Sequence, residues 1–162
     1  MEELWTPWRM RYITSPPPKE GCVFCRLLGG DGATELVLSR GQHSFVVMNL
    51  YPYTVGHIMV VPFRHLARCG ELTADELSEV VHSAAHTERV LRDRLGAETV
   101  HYGINLGRPA GAGVEGHVHL HLVPRGGRIP IHGSDGDLPV PLEETTRVLR
   151  DAFASETGPH RP

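Results

Sequence analysis

EGHVHLHLVPR, residues 115–125, is the stretch that decides the predicted fold. Within it three histidines alternate with three aliphatic residues, namely His117, His119 and His121 with Val118, Leu120 and Leu122. A period of two is typical of a β-strand, so we expect the imidazoles on one face and the aliphatic side chains on the other. Pro124 has no backbone N–H and is expected to end the strand pairing. The stretch therefore predicts a strand with one face in the core and one polar face suited to chemistry.

Three interpretations of this polar face remain open at this point. It can be the polar side of a half-buried strand with no further role, although burying histidine without a partner is costly. Two histidines at i and i+2, together with a third ligand, can hold a catalytic zinc ion. The middle imidazole can also act as a nucleophile between two flanking partners. The rest of the chain has to decide between them.

Composition and charge narrow the function classes. The 162 residues are 40% hydrophobic and carry a formal net charge of −3, which predicts one globular domain and argues against nonspecific binding of nucleic acid. The first residues, MEELWTPWRM, lack the pattern of a signal peptide, and no apolar run approaches the roughly 20 residues that span a bilayer. We therefore expect a cytoplasmic protein with neither membrane nor nucleic-acid partners.

A C-x-x-C motif lies near the start of the chain, with Val23 and Phe24 between Cys22 and Cys25. Such a pair can be a redox dithiol, half of a zinc site, or two small buried residues. A redox dithiol would follow a strand, whereas the prolines at 16–18 precede this motif closely. A zinc site would need two further ligands from elsewhere in the chain.

The remaining segments predict an α+β fold with a mainly antiparallel, five-stranded sheet, in which the first three strands are expected to form an antiparallel meander. Besides the histidine stretch, strands are expected over 35–38, 43–49, 57–62 and 99–106. Thr73 and Glu76 form a capping box for one long helix that ends at Gly96, and one short helix is expected over 142–153. The face of the long helix expected to cover the sheet carries Leu77, Val81, Ala84, Leu91 and Leu95.

We expect the chain to divide into an arm over 1–20, a core over 21–125, a C-terminal loop and helix over 126–155, and a frayed tail over 156–162. The glycine-rich loop 107–116 leads into the histidine stretch and offers backbone N–H groups to an anion. A flexible connection is the plainer interpretation, but the position beside His119 favours a phosphate. Asn105 is a candidate donor to a phosphoryl oxygen. His65 follows Pro62 on a connection from which a metal ligand can reach the cysteines.

With these motifs in order, the chain resembles the histidine-triad (HIT) family of nucleotide hydrolases and transferases. The C-x-x-C motif, the succession Asn49, His57, Pro62 and His65, the long helix, Asn105 and the glycine loop follow the family's order over residues 22–125. The segments LWTPWRMRYI and NLYPYTVGHIMVVP are similar to the bacterial diadenosine polyphosphate phosphorylase and hydrolase branch.

The resemblance implies a role for each site residue. His119 is the nucleophile that attacks an α-phosphorus and forms a nucleotidyl-imidazole intermediate, which water or phosphate then cleaves. His121 and Asn105 bind the phosphoryl oxygens together with loop N–H groups, and His57 orients the triad. Asn49 matches the position that holds the ribose hydroxyls. The base pocket matches Val23, Phe24, Met48 and Leu50.

The resemblance also implies a structural zinc ion, held by the closed Cys2His2 set of Cys22, Cys25, His65 and His117, and a homodimer. This chain departs from the family pattern at one place in the glycine-rich loop. Family members commonly carry serine, threonine or glutamine three or four residues before the first histidine, where this chain has Gly113 and Val114.

Dinucleoside polyphosphates are the leading substrate class that the resemblance implies. The alternatives are an adenosine phosphoramidate or adenylyl ester hydrolase, an enzyme recruited to a specialised biosynthetic pathway, and a nucleotide-binding sensor with little turnover. Substrate profiles measured with and without phosphate would distinguish an enzyme acting on dinucleoside polyphosphates from an adenosine phosphoramidate or adenylyl ester hydrolase. Tight nucleotide binding without product formation would favour the sensor.

Overall fold

The structure is a computed structural model that describes residues 21–129 and 139–156. It contains helices α1 (Val23–Leu28), α2 (Ala74–Leu95) and α3 (Leu142–Glu156), and strands β1 (Val37–Arg40), β2 (Ser44–Met48), β3 (Ile58–Pro62), β4 (Thr99–Gly103) and β5 (Leu120–Arg125). Short 3-10 turns cover Thr34–Leu36, Cys69–Glu71 and Arg108–Ala110. The predicted arm over 1–20 and all but the first residue of the predicted tail lie outside the described residues.

All five strands form one sheet in the order β1-β2-β3-β5-β4, and every neighbouring pair is antiparallel. The predicted α+β class and the five-stranded antiparallel sheet are therefore confirmed. The expected meander of the first three strands is present as β1-β2-β3, whereas the last two strands are not in sequence order, because β5 lies between β3 and β4. The 22-residue helix α2 carries the chain past one strand position, and β5 returns to fill it. Leu122 of β5 consequently has a strand partner on both sides, Ile58 and Tyr102.

The long helix begins and ends where the sequence predicts. The Thr73 hydroxyl accepts a hydrogen bond from the Glu76 N–H, and the Glu76 carboxylate accepts one from the Thr73 N–H. Gly96 ends the helix in the left-handed conformation, with a φ of 69°. The residues that α2 buries are Glu76, Val80, Ala84, Thr87, Val90 and Leu91.

The predicted buried face of α2 was wrong at its first turns. Leu77 and Val81 are 49% and 56% exposed, because the stripe through residues 80, 84, 87 and 91 faces the sheet and places these two side chains beside it. Strands β2 and β3 are buried along their whole length, as their apolar sequences predict. Helix α3 packs against α2 and β1 through Leu149, Ala152 and Phe153. Within the described ranges, none of the helices combines the length and apolar character that crossing a membrane requires.

The histidine stretch enters the sheet later than predicted. Strand β5 begins at Leu120, so His121 lies in the strand while His117 and His119 lie in the extended segment before it. The reason is local, since the Val118 N–H donates to the carbonyl of Leu66 at 2.6 Å and not to a strand of the sheet. The three imidazoles therefore come from one extended segment, of which only the part with His121 belongs to the sheet.

A four-residue cluster beside a histidine relay

Two cysteines and two histidines from three parts of the chain meet at one point. Cys22 and Cys25 come from the start of α1, His65 from the loop after β3, and His117 from the segment before β5. Their ligand atoms all lie within 4.8 Å of one another. Sγ of Cys22 is 3.3 Å from Nδ1 of His117, and Sγ of Cys25 is 3.4 Å from Nδ1 of His65. Donors of this number and type suit a tetrahedral metal ion.

The ring of His117 is oriented as a metal ligand would be. Its Nε2–H donates to the carbonyl of Pro62 at 2.8 Å, so the lone pair of Nδ1 faces the two cysteines. Burial lowers the pKa of His117, which favours the neutral ring that a metal requires. Together the four residues form a closed set that leaves no position for a substrate, so the cluster fits a structural site better than a catalytic one.

His119 is held by the same segment but faces elsewhere. Its Nδ1–H donates to the carbonyl of His117 at 2.8 Å, and the residue is only 4% exposed. This hydrogen bond assigns the remaining lone pair to Nε2. Burial lowers the pKa of His119, although the carbonyl acts in the opposite direction. The result is a neutral imidazole with a fixed tautomer, which is the form in which histidine is a nucleophile.

A chain of hydrogen bonds fixes the tautomers of His57 and His121. The backbone N–H of Tyr53 donates to Nδ1 of His57 at 3.0 Å, which leaves the proton of this fully buried ring on Nε2. That Nε2–H donates to Nδ1 of His121 at 2.9 Å. The proton of a neutral His121 ring therefore lies on Nε2. Its ring is perpendicular to that of His119, with 4.7 Å between the ring centroids.

The hydrogen-bonded pair of His57 and His121 is called the histidine relay below. Asn49 lies against this relay at the end of β2. Its side-chain oxygen accepts a hydrogen bond from the Tyr51 N–H at 2.9 Å, and its amide nitrogen is 3.4 Å from Nε2 of His57. We assign the proton of His57 to the shorter contact with His121, because the Asn49 nitrogen is itself a donor. The amide is half-buried, so one edge of Asn49 touches the relay while part of it reaches the surface.

The four predicted base-pocket residues divide into two pairs. Phe24 and Met48 are buried, and the Phe24 ring contacts both His117 and His119, with centroids 5.3 Å and 5.0 Å apart. Val23 and Leu50 are 37% and 51% exposed, so they can be reached from the surface. Gly113 is exposed in the glycine loop.

The structure adds three side chains that the sequence analysis missed. Tyr53, His101 and Arg125 line a cavity of about 220 Å³ together with Gly103, Asn105, His121 and Val123. The period of two could have indicated Arg125, which follows His121 by four residues in β5. His101 could be assigned to this site only once β4 was known to pair with β5, because this pairing places His101 opposite Val123.

Comparisons with known proteins point to one family. The HIT domain family matches residues 32–127. The "AP-4-A phosphorylase" of Mycobacterium tuberculosis is 33% identical over an alignment of 168 residue positions. The alignment covers 96% of this chain and 86% of that protein. The "Bis(5'-adenosyl)-triphosphatase" of Dictyostelium discoideum is 35% identical over 82 residues, covering 51% of this chain and 54% of that protein.

A solved structure is similar over most of its length. The zinc-bound histidine triad family protein from Mycobacterium smegmatis superposes with a TM-score of 0.69 at 27% identity, covering 83% of this chain and 94% of that chain.

Proposed function

Because this chain belongs to the HIT domain family, we propose that it is an enzyme that cleaves nucleotides at the α-phosphate through a nucleotidyl-His119 intermediate. The observation that carries the proposal is the hydrogen bond from Nδ1–H of His119 to the carbonyl of His117, which directs a lone pair to Nε2. This tautomer is the one that can attack phosphorus without losing a proton first.

The reaction has two steps. In the first, Nε2 of His119 forms a bond to the α-phosphorus while the bond from phosphorus to the bridging oxygen breaks, and the rest of the substrate leaves. In the second, water or phosphate attacks the same phosphorus, and the P–N bond breaks to restore His119. His121, through Nε2–H, and Asn105 would bind the phosphoryl oxygens as charge accumulates on them. His57 would act by holding His121 in the required tautomer.

Dinucleoside polyphosphates are the substrate class that we propose, since one relative over nearly the whole chain is named AP-4-A phosphorylase. Asn49 would hold the ribose hydroxyls, and Val23, Phe24, Met48 and Leu50 would enclose the base. Gly113, exposed in the loop before the triad, would contribute a backbone N–H and no side chain.

Zinc is the metal that we propose for the cluster of Cys22, Cys25, His65 and His117. The donor set and the direction of Nδ1 of His117 support it, as does the zinc-bound relative from M. smegmatis. The ion would join α1 to the loop after β3 and to the segment before β5. Two thiols at such a site need a reducing compartment, which fits a cytoplasmic protein.

A homodimer is the assembly that we propose. Large apolar side chains remain exposed on α2 and on the chain that follows β4, with Leu77 at 49%, Val81 at 56%, Ile104 at 41% and Leu106 at 47%. Covering these side chains would favour association of two copies. Light scattering should give the mass of two chains, and a Val81→Glu variant should give the mass of one.

A single-turnover experiment tests the function. Diadenosine tetraphosphate labelled at the α-phosphate is mixed with excess protein, quenched, and the protein is examined for bound label. We expect label on the wild type and on a His82→Gln control, whose histidine is exposed on α2, and none on His119→Gln. Circular dichroism melting checks that both variants are folded. Label retained on His119→Gln, or a wild type that binds nucleotide but is never labelled, would contradict the proposal.

A further inference from the structure

The cavity beside His121 carries donors that the two reaction steps above do not use. It is lined on β5 by His121, Val123 and Arg125, and on β4 by Gly103 and His101. The pairing of His121 with Gly103 and of Val123 with His101 places these residues on alternate rungs of the sheet, and therefore on one face of it. The relay therefore opens directly into a space of about 220 Å³.

Gly103 lets the ring of His101 lie close to His121. A Cβ at residue 103 would be 3.1 Å from Nε2 of His101, so the imidazole lies over the position where another residue would have a side chain. Gly103 is itself the strand partner of His121. A donor on β4 thus reaches toward the residue that binds phosphoryl oxygens in the proposed reaction.

The lining has the chemistry of an anion site. Arg125 supplies a permanent positive charge, and His101, Tyr53 and Asn105 supply side-chain N–H or O–H donors. Among the described residues that line the cavity, none is acidic. Arg125 is an exposed residue, and a guanidinium group can exchange water for a phosphate held by two parallel hydrogen bonds.

We infer that this cavity is a second anion subsite, which holds the polyphosphate of the leaving group in the first step and the incoming phosphate in the second. The inference rests on the proposed function. In an in-line displacement both groups lie opposite the nucleophile, so one subsite serves both. When phosphate attacks, one of its oxygens forms the new bond to the α-phosphorus, the bond to Nε2 of His119 breaks, and a nucleoside diphosphate leaves. Arg125 and His101 act on the acceptor and leaving group, while His119 acts on the α-phosphorus.

Direct binding tests the subsite without turnover. Isothermal titration with inorganic tripolyphosphate is carried out on the wild type, Arg125→Gln, His101→Gln and the control Arg94→Gln, which removes one positive charge from the exposed surface of α2. Loss of a charge-assisted contact should weaken binding about tenfold in Arg125→Gln, and less in His101→Gln. Arg94→Gln should bind as the wild type does. Equal binding by all four proteins would overturn the inference.

A second measurement separates this inference from the proposed function. Adenosine 5′-phosphoramidate, whose leaving group is ammonia, should label Arg125→Gln and the wild type at the same rate. The phosphate concentration that diverts half of the product from AMP to ADP should rise about tenfold in Arg125→Gln, and Arg125→Lys should recover part of the loss. Failure of the wild type to label at all would refute the covalent step and leave the tripolyphosphate result to decide the subsite. Labelling with an unchanged phosphate dependence would refute the subsite alone.

Discussion

Glu79 connects helix α2 to the turn between β1 and β2, and its replacement by glutamine gives a sharp test of the fold. Oε1 accepts hydrogen bonds from the backbone N–H and the hydroxyl of Ser44, both at 2.8 Å, and from the His43 N–H at 3.0 Å. Oε2 accepts from the N–H groups of His43 and Gln42 at 3.1 Å and 3.2 Å. Burial raises the pKa of Glu79, but these hydrogen bonds outweigh it and hold the pKa below its ordinary value.

Glutamine would have the same shape but only one acceptor oxygen. That oxygen can retain the two bonds to Ser44, whereas the NH2 group would face the N–H groups of His43 and Gln42, donor against donor. The negative charge that strengthens each of these hydrogen bonds is also lost. A fully buried hydrogen bond to a charged group contributes about 1.5–3 kcal/mol, and the contribution is smaller here because Glu79 is half-buried. We expect Glu79→Gln to lower the free energy of unfolding by about 2 kcal/mol. For a chain of this size that corresponds to a Tm lower by about 4–8 °C.

Denaturant unfolding at several pH values measures the effect and its cause. A carboxyl whose folded pKa is depressed contributes stability above its unfolded pKa, about 4.3, and loses it as the pH falls through the folded value. The difference between wild type and Glu79→Gln should therefore be constant from pH 7 to 5 and shrink below about pH 4. Glu98→Gln, at an exposed carboxylate, serves as the control and should change little. A Glu79→Gln protein within about 0.5 kcal/mol of the wild type, or a difference independent of pH, would refute the reasoning.

Three further predictions concern the cluster, the relay and the helix cap. A chelator should remove one zinc ion per chain and lower the Tm, and Cys25→Ala should bind less zinc by elemental analysis; an unchanged Tm would exclude a structural metal. His57→Asn should slow labelling of His119 by about 10- to 100-fold, since His121 loses the group that fixes its tautomer. Equilibrium dialysis should show nearly unchanged nucleotide binding by this variant. A normal labelling rate would contradict the role of His57. Thr73→Ala should lose about 1 kcal/mol in urea unfolding, because the Glu76 N–H at the start of the helix loses the hydroxyl that accepts its hydrogen bond. A neutral result would show that tertiary contacts hold the helix without this cap.

Local signals predicted the elements well because their causes are local. The capping box at Thr73 and the left-handed Gly96 define a helix with few outside contributions, and the apolar runs at β2 and β3 are buried as expected. The C-x-x-C motif indicated half of a zinc site as one alternative and His65 as a candidate ligand, although only the family resemblance completed the set with His117.

Errors arose where a long-range contact decided the outcome. The period of two placed three histidines on one strand, but the Val118 N–H pairs with Leu66, so the strand starts three residues late. Leu77 and Val81 fit the helical period of the buried face, yet the sheet contacts a stripe beside them. The place of β5 between two strands depends on how far α2 carries the chain. His101 and Arg125 could be connected only after that order was known.

His117 has two contacts that join the cluster to the nucleophile. Its ring belongs to the four-residue cluster, and its carbonyl accepts the hydrogen bond from His119. The group that orients the nucleophile is thus a main-chain atom, which every amino acid possesses. No single substitution can delete it, so a mutational scan would detect its importance only indirectly, as sensitivity at Cys22, Cys25 and His65, whose side chains meet the His117 ring. Residues that never touch the substrate would then lower the labelling of His119 when they are replaced.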